Sequence, residues 1–323
     1  MKQIAFCLAL LISFLIASAC INEESITIEG RPVIINFHEI PRGIYHEEYM
    51  PLYAQELKVK DSLWKAGNRI EDFSDYGVLL IYHGRLEEAK KVFIDIEARQ
   101  PGRYSTAANL GTTYELLGKN DSALYWIKRS VAIDPQSHHG SEWLHVKILE
   151  AKIQKSKFNT SFLIGTDFGN DTLPKSNMSS HELDKLSKAL HYQLNERVSF
   201  VKPKDEIVGL LLFELGNIKA IQSDLVTAMK IYDMAIQYGY HGKLLEARYN
   251  EFRKRLINAN VDNEYVKKLK DAPAYVAPDP TVKVEAATEV PAKGSSTMLY
   301  YILAFIAIIA ATFFIIKRRK ARE

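Results

Sequence analysis

Few residues in this chain have the types and spacing to do chemistry. Asp167-Phe168-Gly169, inside the stretch FLIGTDFGNDTLPKS (162–176), has the order in which phosphoryl-transfer enzymes hold a magnesium ion against nucleotide phosphates. That use requires a glycine-rich loop, a strand lysine and a catalytic-loop aspartate and asparagine upstream. The segments upstream read as helices instead, so the triplet is expected to be a turn. Gly165 and Gly169 would make the bends, and Phe162, Leu163, Ile164 and Phe168 would lie across a neighbouring surface. HEEYM (46–50) begins like a zinc-protease helix, which needs histidines at i and i+4 on one face; Met50 occupies the second place, so no metal site is expected. Ser137-His138-His139 follows a proline and reads as solvated loop histidines. There is no glycine-rich phosphate loop and no G-x-S-x-G elbow, and both cysteines, Cys7 and Cys20, lie in the first twenty residues. The sequence therefore nominates no catalytic residue, no cofactor and no small-molecule substrate, and it is read as a non-enzyme.

The charge balance excludes a second class. The formal net charge is +3, and Lys317, Arg318, Arg319, Lys320 and Arg322 at the C-terminal end more than account for it. A nucleic-acid partner is not expected.

The chain repeats itself with a period of 34 residues. With residues 70–103 set above 104–137, Gly77 falls on Gly111, Gly84 on Gly118, Ala89 on Ala123 and Pro101 on Pro135, each pair 34 residues apart. A further copy fits 209–242, with Leu215, Gly216, Ala228, Tyr232 and Ala235 in register. Small residues in register let two antiparallel helices approach closely, and proline ends the second helix. This pattern resembles the tetratricopeptide repeat, which carries Leu-Gly at positions seven and eight, an aromatic at eleven, Ala at twenty, an aromatic at twenty-four and Pro at thirty-two. Leu110, Gly111, Tyr114, Ala123 and Pro135 match it, with Ile127 in place of the late aromatic; Gly77, Ala89, Phe93 and Pro101 match it in the first copy.

The resemblance implies an all-α fold, a right-handed α-solenoid of helical hairpins that must stack to bury their faces. Residues 138–208 are expected to be a degenerate repeat: helices at 140–156 and after the capping box Ser179-Ser180-His181-Glu182, separated by a long insert at 157–178. Residues 243–260 would form a capping helix. The segment 20–69 reads as an arm, with ITIEGRPVIINF alternating enough for a short strand, followed by a helix starting near Pro51.

The resemblance also implies where a partner would bind, in the groove lined by the first helix of each hairpin. The corresponding residues are Glu71, Ser74 and Val78; Ser105, Thr112 and Glu115; and Leu210, Phe213 and Asn217. Some members of that family clamp a carboxylate with Lys and Asn, and Ser74 and Val78 stand in those places here. The implied partner is therefore a protein or peptide, either an extended segment or a helix.

The two ends imply a location. Lys2, the apolar run Ile4–Ile16 and Ala17-Ser18-Ala19 read as a signal peptide over residues 1–19. Two cuts fit: an ordinary A-x-A site, or a bacterial lipobox that would acylate Cys20, from which Ala17 departs. Near the other end, 298–316 is uncharged for nineteen residues, about 28 Å of helix, enough to cross a bilayer. Tyr300 and Tyr301 at one edge and the basic tail 317–323 at the other orient it with the tail in the cytoplasm. Residues 271–297, rich in Pro and Ala, read as a linker. The expectation is a single-pass membrane protein of a bacterial envelope with its repeats exported. It would be an interaction scaffold, or alternatively an assembly component that self-associates or docks onto a larger complex.

Overall fold

The computed structural model describes residues 23–34, 39–43, 50–67, 69–154 and 159–278. Helix α1 (Met50–Gly67) precedes one hairpin, α2 (Ile70–Tyr82) with α3 (Leu86–Arg99), and a second, α4 (Tyr104–Leu116) with α5 (Asn120–Ile133). Helix α6 (Glu142–Gln154), a single turn α7 (Thr160–Ile164) and the long α8 (Ser180–Phe200) follow. A third hairpin, α9 (Glu206–Gln222) with α10 (Leu225–Gln237), leads into α11 (Lys243–Asn258) and α12 (Glu264–Asp271). Helices adjacent in sequence pack side by side along most of the array, so the described residues form a helical-hairpin repeat fold.

The repeated small residues do the packing expected of them. A Cβ on Gly77 would stand 2.6 Å from Phe93 Cζ, one on Gly111 2.3 Å from Ile127 Cδ1, and one on Gly216 2.5 Å from Tyr232 Cδ1. In all three hairpins the residue sixteen places after the glycine therefore sits directly over it. Phe93, Ile127 and Tyr232 are fully buried, as are Ala89, Ala123 and Ala228. The position-twenty-four side chain thus seals its own hairpin. Gly84 and Gly118 close the first two hairpins with φ of 68° and 73°, values that glycine adopts without strain. The amides after them, Arg85 and Lys119, bond back to the carbonyls of Leu80 and Tyr114 at 2.9 and 2.8 Å. The third hairpin lacks that glycine; there Asp224 caps α10 by accepting from the Thr227 amide at 2.8 Å.

Two additions join this array. Residues Glu24–Ile26 (β1) and Pro32–Ile34 (β2) pair as an antiparallel hairpin, a small departure from an all-α fold. It docks far along the chain. The Val226 amide donates to Ser25 Oγ at 3.1 Å, Lys230 meets Glu23 at 3.1 Å, and Asn263 Nδ2 donates to the Glu24 carbonyl at 2.9 Å. Ile26 enters the core of α8–α12. Further on, the amides of Arg42 and Gly43 both donate to Asn195 Oδ1, and Glu39 pairs with Lys219 at 2.9 Å. The described arm residues therefore contact the last hairpin, α8 and α9.

Apolar burial divides into a large C-terminal core spanning α6–α12, a core under α1–α4, and a small bridge of Ala123, Ile127 and Leu149. The expected capping box is present, Ser179 and Glu182 each bonding the other's amide. Residues 272–277, inside the expected linker, lie against α11, where Asn250 exchanges two hydrogen bonds with the backbone of Tyr275. Among the described residues no helix is long and apolar enough to cross a membrane. The segment 298–316, the tail 317–323, residues 279–297 and the signal segment with Cys20 lie outside the described residues.

Candidate partner-binding site

The expected groove residues do not form one surface. Glu71 is exposed and meets Arg103 at 3.6 Å. Ser74 is buried, Val78 packs half-buried against the α1–α4 core, and Ser105 is half-buried. In the third hairpin Leu210 packs half-buried against the C-terminal core, while Phe213 and Asn217 are inside it. Asn217 donates to Glu214 Oε2 at 2.8 Å and accepts from the Tyr232 hydroxyl, and Thr160 of α7 donates to Glu214 Oε1 at 2.6 Å. Burial pushes the Glu214 carboxyl above its usual range. The chain's own insert and α11 occupy the face of α9 that an isolated hairpin would offer, so Phe213 and Asn217 are packing residues.

Arg248 of α11 explains how the insert is held. Its guanidinium is fully buried and donates to three backbone carbonyls of the insert: Phe168 at 3.0 Å, Gly169 at 2.6 Å and Asp171 at 3.0 Å. Phe168 is itself buried, and Asp167 Oδ1 accepts from the Gly169 amide at 2.9 Å. The Asp-Phe-Gly triplet is therefore an Asx turn around a buried aromatic. Among the described residues no group of three or more His, Cys, Asp or Glu could hold a metal ion.

Thr112 and Glu115 do come together, in a charged cluster where α8 meets α4 and α6. Glu115 accepts from His145 Nε2 at 2.7 Å, Lys152 Nζ at 2.7 Å and Arg197 Nη1 at 2.8 Å. Burial raises its carboxyl, but Arg197, His145 and Lys152 together outweigh that and hold it well below the usual carboxylate range. Burial would lower His138, but its contact with Glu142 prevails and raises it; burial raises Glu142, but His138 and His145 prevail and lower it. Burial pushes Glu196 upward. The cavity among these groups encloses about 50 Å³, room for a few water-sized molecules. Its charges are consumed in joining the two halves of the array, a structural role.

The histidine turn beside this cluster is unusual. His138, His139 and Gly140 all have left-handed backbones, with φ of 49°, 56° and 68°. Each non-glycine residue so placed costs about 1–3 kcal/mol. Ring contacts offset the cost: His138 stacks on Tyr192 at 5.1 Å, His139 meets the same ring edge-on at 5.4 Å, and the Tyr104 hydroxyl lies 3.0 Å from His138 Nδ1. The sequence reading of solvated histidines holds only for His139, which is exposed; His138 is half-buried and paired.

Two open clefts, each about 620 Å³, adjoin α8. One is lined by Glu39, His139, Lys185, Lys188, Tyr192 and Lys219, the other by Met50, Tyr82, Leu86, Leu116, Phe200 and Lys202. A smaller cleft of about 280 Å³, containing Trp143, Ile164, Met178 and Leu186, shares His139 and Lys185 with the first. Sequence reasoning missed these surfaces because most of their lining comes from the arm, the histidine turn and α8, with Gly84 of the repeat register an exception.

No protein-family model matches this chain, and no curated protein matches it. Among solved structures, a tetratricopeptide repeat protein from Parabacteroides merdae ATCC 43184 is 10% identical, with a TM-score of 0.33, over 69% of this chain and 94% of that one. BtubC (BKLC) from P. vanneervenii is 11% identical, TM-score 0.29, over 76% and 98%. A Podosopora anserina protein of nearly identical TPR-like repeats is 14% identical, TM-score 0.26, over 63% and 92%. With scores this low, the repeat fold rests on the hairpin packing itself.

Proposed function

We propose that this chain is a non-enzymatic scaffold of tetratricopeptide type that holds a protein partner, displayed on the exported side of a cell membrane by the apolar segment 298–316. The observation that carries the binding role is the pair of open clefts beside α8. One is walled by the arm, the histidine turn, α8 and α9, the other by α1, the first hairpin, α4 and α8, and both are open to solvent, which suits a polypeptide segment better than an enclosed small molecule. Affinity purification of the full chain from membranes tests it: a distinct polypeptide recovered in constant ratio supports recruitment, and recovery of self-complexes alone contradicts it.

Location rests on the sequence of the two ends. In a Cys20→Ala background, an impermeant maleimide on intact cells is expected to label Ser295→Cys and to spare Ala321→Cys; the reverse pattern would overturn the orientation. Metabolic palmitate labelling lost in Cys20→Ala would establish acylation.

One feature favours the assembly reading instead. Leu52, Val59 and Leu63 are exposed at helical spacing on α1, the end of the array. If a second copy covers this stripe, Val59→Glu converts a dimer to a monomer in light scattering; a chain that is monomeric before substitution removes this reading.

A further inference from the structure

The cleft along the N-terminal half of α8 has a polarity that the scaffold role alone does not specify. Its three carboxylates are already engaged: Glu39 with Lys219 at 2.9 Å, Asp184 with Lys188 at 2.7 Å, and Glu182 with the Ser179 amide and hydroxyl at 2.8 and 2.6 Å. Lys185 is different. It is exposed, stands where the larger cleft meets the smaller one, and has no carboxylate or hydrogen-bond partner among the described residues. Next to it His139 is held into the cleft mouth by the left-handed turn and the Tyr192 ring. On the other side lies an apolar floor of buried Ile164 and Leu186 with half-buried Met178, edged by the exposed indole of Trp143. A surface with one uncompensated cation directly beside an aromatic-edged apolar pocket is complementary to a carboxylate directly beside a bulky apolar group.

Resting on the scaffold reading, we infer that this composite cleft binds a polypeptide segment in which an Asp or Glu neighbours a Trp, Phe or Leu. The carboxylate pairs with Lys185 and the apolar side chain sits against Trp143 and Leu186. The site is separate from the repeat groove, since Asn217 and Phe213 are buried and cannot serve it.

Selection of a random peptide library displayed on phage against the full chain in detergent tests this. Enriched peptides are expected to carry an acidic residue adjacent to an aromatic or leucine. A synthetic copy of one should lose about tenfold in affinity, roughly one desolvated charge contact, on Lys185→Glu, and a comparable factor on Trp143→Ala. Lys185 is exposed, so Lys185→Glu keeps the wild-type melting temperature. Replacing the peptide's acid with lysine should restore binding to that variant even if Trp143→Ala fails to fold. Enrichment of peptides without the acidic–apolar pair, or binding indifferent to Lys185→Glu, would overturn this cleft assignment and leave the scaffold role standing. Failure to enrich any peptide would count against both.

Discussion

Glu115 is the residue on which the two halves of the array depend. Its carboxylate comes from α4, and its partners come from α6 and α8, with the side chain only 6% exposed. Removing one member of such a cluster leaves buried cations uncompensated, so Glu115→Gln is expected to lower stability by about 3 kcal/mol at neutral pH. Because its folded-state pKa is depressed, that contribution is fully present above the unfolded carboxylate value near 4 and is lost as pH falls through the folded value. Denaturant unfolding of both proteins from about pH 7 down to pH 3 should therefore show their difference shrinking. His138 has the opposite sign. Its raised pKa adds stability below the unfolded value of about 6.5, lost as pH rises through the folded one. A difference independent of pH would mean the cluster is not ionised as described. Arg248 carries a second prediction. Arg248→Met keeps much of the stem's volume but frees three carbonyls of the insert. Limited proteolysis should then cut first near Gly169-Asn170, with the hairpins intact; unchanged resistance there would deny the clamp.

At the scale of elements, the glycines in register decide how closely each hairpin packs. Gly216→Ala would drive a methyl into Tyr232, which is fully buried and hydrogen-bonded to Asn217 and cannot move aside. The expected cost is about 1–3 kcal/mol by thermal or chemical unfolding, and an unaffected stability would contradict the close approach. These positions were legible in the sequence because a steric requirement between two residues sixteen apart writes itself as a local repeat. The turn glycines Gly84 and Gly118 and the capping box at Ser179 were legible for the same reason, each satisfying a local backbone need. The fate of the expected groove was not. Phe213 and Asn217 sit at groove positions, yet Thr160 and Arg248, 54 and 79 residues from their contacts, bring the insert and α11 over them. The histidine turn was misread in part, since the Tyr192 ring that stacks on His138 lies across the fold with no pattern to announce it.

For the whole molecule, the arm residues 23–26 tie the beginning of the described chain to its last hairpin. Ile26 is 4% exposed within the C-terminal core, so Ile26→Ala should destabilise by about 2–4 kcal/mol, although its partners lie some two hundred residues away, as for Ser25 and Val226. The arm also supplies Glu39 to the wall of the cleft beside α8. The scaffold role is tested most directly by affinity purification of the full chain and its Lys185→Glu variant from membranes, in parallel. The account predicts a distinct polypeptide bound in constant ratio to the wild type and depleted about tenfold from the variant. Recovery of self-complexes alone from both would contradict it.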